Sequence, residues 1–370
     1  MEQTARRGPL QWTVLVPIMA MVVLVVTWAS HEHPAVLVTI SAFLVGAIFA
    51  AVHHAEVVAL RVGEPFGSLI LAVAVTVIEV GLIVMLMVGG GPNAATYARD
   101  TVFAAVMITL NGIVGLSLLF GALRHRTVSF NASGSGSALA TVVALAGVCL
   151  ILPRFTVSEE GPRYSAAQLA FAAVASLVLY GAFVFTQTVR HRDFFLPVLP
   201  EKADPDTPVP EDRHAEPPSV REAWLSLALL LAALVSVVGL AKLLAPTIES
   251  SIGVLGLPYA MVGVVIALLV LAPESLAALN NARRDRVQIC LNLAYGSAMA
   301  SIGLTIPVIA IAIIWLPGPL ALGLEPMQIV LLTISVIVST LTLAQGRAVA
   351  LQGVVHLVLL GTFIFLSAVP

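Results

Sequence analysis

Eleven runs of predominantly apolar residues, most of them close to the roughly 20 that cross a bilayer as a helix, leave this chain only one solvent in which to fold. They lie at 12–29, 36–52, 67–88, 101–121, 138–153, 165–188, 223–245, 254–280, 287–314, 328–344 and 349–368. Inside lipid every backbone N–H and C=O must find a partner within the protein, which restricts a spanning chain to helices or a closed barrel. These runs are too long and too uniformly apolar for short alternating strands, so the expectation is an all-α, polytopic membrane helix bundle. Composition agrees: 59% of the 370 residues are hydrophobic, 10% are charged, and the mean hydropathy is +1.03. No stretch is left for a large soluble domain. The bilayer is the expected partner, and a formal net charge of −2 gives no footprint for a nucleic acid. The first run follows Arg6 and Arg7 in the manner of a signal peptide, but no convincing small-residue cleavage site follows it, so it is read as helix 1.

One long polar stretch, 190–222, interrupts the series with eight acidic and five basic residues among many prolines. It is too charged and too proline-rich to bury a core, and reads as a cytoplasmic linker. The domain reading is therefore 1–35 for the N-terminal helix, 36–189 for a first half (helices 2–6), 190–222 for the linker and 223–370 for a second half (helices 7–11). All 18 basic residues fall outside the runs or at their edges. With the N-terminus inside, fourteen lie on the inner side, and four (Arg99, Arg154, Arg163, Lys242) on the outer. That bias sets an N-in, C-out topology, with the linker on the inner side. Five helices per half is an odd number, so the halves face opposite ways, which is the inverted-repeat plan of many secondary transporters. Weak traces of a repeat accompany it. Glu79 and Glu274 occupy corresponding helices, and each is followed by a charged turn, Arg99-Asp100-Thr101-Val102 or Arg284-Asp285-Arg286-Val287. The next helix is in both cases rich in small and polar residues: Asn111, Gly112 and Gly115, then Asn292, Gly296, Ser297 and Ser301.

Of 20 acidic residues only Glu79 and Glu274 fall well inside apolar runs. A charge at the bilayer centre costs on the order of 3 kcal/mol, so such residues are functional candidates by default. Pro273 precedes Glu274 and removes one backbone hydrogen bond, which points to a broken helix with a freed carbonyl. Thr76 stands one turn before Glu79 and offers a hydroxyl. Two carboxylates and neutral oxygens suit a hard cation such as Ca²⁺ and offer nothing to a soft one. A carboxyl in a low-dielectric setting is harder to ionise, so cation and protons compete for the same oxygens. That competition is antiport in its simplest form, with two protons balancing one divalent ion. The ions are transported species and no permanently bound cofactor is expected.

At these residues the chain resembles the bacterial calcium/proton antiporters of the cation/Ca²⁺ exchanger superfamily. The stretches that carry the likeness are GEPFGSLILAVAVTVIEVGLIVMLM from Gly63, RDTVFAAVMITLNGIVGLSLLFGALRHR from Arg99, and PESLAALNNARRDRVQICLNLAYGSAMASIGLTIP from Pro273. The resemblance implies one essential glutamate per repeat, at Glu79 and Glu274, with Asn111, Ser297 and Ser301 completing the pocket. It implies Ca²⁺/H⁺ exchange by alternating access. Related plant and fungal exchangers carry an asparagine one turn before each glutamate, where this chain has Thr76 and Leu271. A site poorer in calcium ligands leaves Na⁺ or K⁺ as alternative substrates, and a non-transporting scaffold or sensor is the reading from another class.

Other residues carry less. His53, His54 and Glu56 read as a solvated cluster at the end of helix 2, and His356 as a lone packing residue. The SGSGS at 133–137 reads as a flexible turn, without the lysine of a phosphate loop. Arg283, Arg284 and Arg286 anchor the inner end of helix 8, and Cys149 and Cys290 read as small buried hydrophobes. No nucleophile and base arrangement appears, so no enzyme is expected.

Overall fold

A computed structural model describes residues 12–29, 33–63, 66–89, 94–198, 218–315 and 318–370. Most of the 190–222 linker lies outside the described residues. Before it run α1 (Trp12–Thr27), α2 (Pro34–Val62), α3 (Phe66–Gly89), α4 (Tyr97–Met107), α5 (Val114–His125), α6 (Ala132–Ala146) and α7 (Ala166–Phe185). After it run α8 (Val220–Val254), α9 (Ala260–Ala282), α10 (Val287–Gly303), α11 (Thr305–Ala312), α12 (Pro326–Leu343) and α13 (Ala350–Ala368). Helices joined end to end count as one crossing, and among the described residues ten are long and apolar enough to span a membrane, with the shorter α1 beside them. The chain is a multi-pass helical membrane protein.

The bundle is packed with its polar residues inward. Thr109, Asn111, Ser117, Ser176, Ser335, Ser339 and His356 have no exposed surface, whereas Phe171, Val174 and Val178 project freely from α7. Hydrocarbon accepts the second group and penalises the first, so each span is turned by the solvent it meets.

The residues fall into two compact units that cut across the sequence halves. Unit 1 holds Met1–Met85 and His214–Thr247, hence α1, α2, most of α3 and most of α8. Its helices cross closely at glycines: a Cβ on Gly46 would lie 3.0 Å from Val16 Cγ1 and one on Gly81 2.5 Å from Val238 Cγ2. Pro17 in α1 has no N–H to give the Thr13 carbonyl, and His54 supplies the missing donor from α2, its Nε2 lying 2.8 Å from Thr13 O. His54 is accordingly buried, which corrects the expectation of a solvated cluster: α2 runs on to Val62 and carries the histidine into the unit's core. Glu56 alone of the three remains exposed.

Unit 2 holds Leu86–Arg213 and Ile248–Pro370, and its axis is the segment Tyr97–His125, almost wholly buried. This crossing is continuous but not uniform: α4 and α5 are joined by a π turn at Ile108–Ile113. A second π turn, Gly147–Ile151, ends the crossing begun by α6. The 133–137 stretch is the first part of α6 and not a loose turn, because Asn131 caps the helix by accepting the Gly134 N–H at 2.9 Å. Pro273 leaves α9 unbroken, and the break appears one crossing later, at Leu304 between α10 and α11, where Pro307 withholds a donor from the Gly303 carbonyl. The two repeat-like charged turns also differ. Arg99 and Asp100 lie buried in the first turns of α4, whereas Asp285 sits in a tight turn with φ 59° ahead of α10.

Contacts among the loops of unit 2 obey the predicted sidedness. At one end the 94–96 and 155–165 connections meet the 318–325 segment: Ala321 N donates to Ala95 O at 2.9 Å and Gly323 N to Pro162 O at 3.0 Å. Arg99 Nη1 reaches Glu325 Oε1 at 3.1 Å there, with Arg154 3.6 Å from the same carboxylate. At the other end β1 (Val128–Ser129) pairs antiparallel with β2 (Arg347–Ala348), and Asn292 Nδ2 donates to Phe195 O at 2.6 Å. Among the described residues these contacts join connections that an even alternation of spans puts at the same end.

Candidate functional site

Glu274 lies in the middle of α9, one residue after Pro273, whose missing N–H leaves the Leu269 carbonyl without its helical donor. The following helix runs back alongside and brings Ser297 opposite the carboxylate, the hydroxyl donating to Glu274 Oε2 at 2.7 Å. An O–H to carboxylate bond of that length belongs to the strong class. Glu274 keeps part of its surface open. Ser301, one turn further along α10, is buried. A carboxylate and the hydroxyl that bonds it therefore meet in mid-span between α9 and α10.

Asn111 sits in the π turn, which packs among α9, α10, α12 and α13. Its amide is engaged at both ends: Nδ2 donates to Ser335 Oγ at 2.9 Å, and Oδ1 lies 3.3 Å from His356 Nδ1. The other ring nitrogen of His356 lies 3.3 Å from Thr342 Oγ1. The sequence reading of His356 as solitary is thereby corrected, for its partners stand 14 and 245 positions away and no local pattern announces them.

In unit 1, Glu79 lies in the middle of α3 with 2% of its surface exposed, and Thr76 one turn earlier with 5%. Of the six residues singled out from sequence, Glu274 and Ser297 touch, Ser301 and Asn111 line the same unit, and Glu79 and Thr76 share a helix in the other. Among the described residues no group of three or more His, Cys, Asp or Glu is clustered for a metal. Cys149 and Cys290 are both buried, the latter donating its S–H to Ala278 O at 3.0 Å.

Comparison with known proteins bears on the whole chain. The profile of the family described as "Sodium/calcium exchanger protein" matches residues 32–189 and 225–369. A Sinorhizobium fredii protein described as an ionic transporter, y4hA, is 44% identical over 362 residues, 97% of this chain and 96% of that one. The sodium-potassium/proton antiporter ChaA of Escherichia coli is 32% identical over 95% of this chain and 94% of its own. The Ca²⁺/H⁺ antiporter of Aphanothece halophytica is 23% identical over 92% and 91%. Among solved structures, native YfkE superposes with a TM-score of 0.72 over 97% of this chain and 100% of its own at 16% identity, a likeness of fold. The chain belongs to the sodium/calcium exchanger family, and with it to the cation/Ca²⁺ exchanger superfamily of membrane transporters.

Proposed function

We propose that this transporter is a cation/proton antiporter of the bacterial inner membrane, exporting Ca²⁺ against protons by alternating access, with Glu79 and Glu274 as the carboxylates for which ion and protons compete. The observation that carries the reading is the hydrogen bond from Ser297 to Glu274 in mid-span. A carboxylate and a hydroxyl are hard oxygen donors, and a serine that donates to the ionised acid can turn its lone pairs to an arriving cation. When the carboxyl is protonated it needs no cation, so loading one species favours release of the other. Thr76 and Ser301 stand as neutral partners, and Asn111 as the amide of the π turn. The two five-helix halves, 36–189 and 223–370, act as oppositely oriented repeats after the N-terminal helix 1–35, with 190–222 and the N-terminus in the cytoplasm and the C-terminus in the periplasm.

A second reading takes Na⁺ or K⁺ as the principal ion. It is favoured by Thr76 and Leu271, where plant and fungal exchangers have asparagine, and by the 32% identity to a sodium-potassium/proton antiporter. Everted vesicles separate the two. After respiration-driven acidification, Ca²⁺ is expected to dissipate the proton gradient at lower concentration than Na⁺ or K⁺; the reverse order replaces calcium by the monovalent ion. Glu274→Gln and Glu79→Gln keep shape but cannot ionise. Each is expected to abolish exchange at normal membrane levels, by about 100-fold or more, and full exchange in both would leave the glutamates as structural groups and not the coupling site.

A further inference from the structure

The π turn of unit 2 is held by a chain of hydrogen bonds whose direction follows from the chemistry of its members. Ser335 Oγ–H is committed to the Leu331 carbonyl at 2.8 Å, one turn back on α12. Its oxygen therefore accepts, and Asn111 Nδ2 donates to it at 2.9 Å. This fixes the amide: nitrogen toward α12, oxygen toward α13. The oxygen can only accept, so His356 Nδ1, 3.3 Å away, must carry the proton, and Nε2 is left to accept from Thr342 Oγ–H at 3.3 Å. One neutral imidazole satisfies every bond from Thr342 to Leu331.

The close approach of α13 to α5 confines the ring. His356 has no exposed surface. α13 lies so close to α5 that a Cβ on Gly115 would come within 3.0 Å of His356 Cβ, and one on Gly353 within 2.5 Å of Leu119 N. The imidazole is thus wedged against the turn that carries Asn111. A carbonyl oxygen has two lone pairs. His356 engages one and fixes where the other points.

We propose that His356 is a positioning residue of the exchange site, which sets the orientation of the Asn111 amide and so presents its remaining lone pair to the transported cation. This rests on the antiport reading above, with Asn111 serving that site. Without the histidine the amide is held by Ser335 at its nitrogen alone, and its oxygen is free to swing away from the cation.

Two substitutions divide the roles of the ring. His356→Asn places an amide nitrogen where Nδ1 stood and keeps a donor to Asn111; His356→Gln places its amide oxygen where Nε2 stood and keeps only the acceptor for Thr342. In proteoliposomes of purified protein, proton release is measured after addition of Ca²⁺ and, separately, Na⁺. The Gln variant is expected to raise the KM for the transported cation about tenfold, the scale of one lost hydrogen bond, with Vmax within about twofold; the Asn variant is expected to recover most of that affinity. An unchanged KM in the Gln variant, or an equal loss of Vmax at unchanged KM in both, overturns the proposal. If the Gln variant does not reach the membrane, Ser335→Ala removes the acceptor of the Asn111 amide and is read in the same way, an unchanged KM again overturning it. Glu274→Gln run in parallel separates the two levels. If it exchanges like the parent, the antiport site is wrong; if it is inactive while His356→Gln binds normally, only the positioning role falls.

Discussion

Arg99 shows what a single residue concealed in the sequence. Charge counting placed it in an outer loop, yet it lies inside α4 with its side chain 9% exposed, paired to Asp100 at 2.8 Å and to Glu325 at 3.1 Å. A buried carboxylate deprived of its guanidinium is costly, and Arg99→Ala is expected to destabilise the fold by roughly 3 kcal/mol. Thermal unfolding in detergent checks this, and a melting temperature within a degree of the parent contradicts it. Glu79 and Glu274 were legible because a carboxyl in an apolar run violates the pattern around it. Ser297 was legible only through resemblance, since a serine in a membrane helix is unremarkable until its neighbour is known. His356 and Thr342 were not legible as partners of Asn111, because what joins them is the return of α13 against α5 and not any spacing along the chain.

Among the elements, the crossings themselves were the readable part. Hydrocarbon forces each apolar run into one helix, so existence and order followed from composition, while ends did not. α2 and α8 continue through polar residues beyond their apolar runs, α8 carrying Pro246 within it. The π turns left no signal, as an inserted residue changes no composition. Nor did Pro273 predict its own effect: α9 tolerates the lost bond, and the break came at Leu304 instead. Helix proximity is set by glycine, and Gly353 is the sharpest case, with the Leu119 backbone occupying the space of a side chain. Gly353→Ala is expected to cost about 1–3 kcal/mol as α13 is pushed from α5, seen as a lowered melting temperature in the same detergent assay. A neutral outcome would show that the two helices slide apart without penalty.

At the scale of the whole molecule, alternation of loops was foreseen and each loop contact of unit 2 respects it, whereas the interleaving of sequence halves into compact units was invisible, because it depends on which helices touch. Which end of the bundle faces the cytoplasm is an expectation drawn from the arginines, and labelling tests it. The burial of both native cysteines bears directly on that question. With Cys149 and Cys290 sealed in the core, the unmodified protein is a blank for thiol-specific reagents, and any added cysteine reports its own compartment without prior removal of the native pair. Val157, 97% exposed between the 138–153 and 165–188 crossings, and Thr127, exposed beside β1, sit on opposite predicted sides. In intact spheroplasts a membrane-impermeant maleimide is expected to tag Val157→Cys at once and Thr127→Cys only after lysis; the opposite order would invert the protein in its membrane.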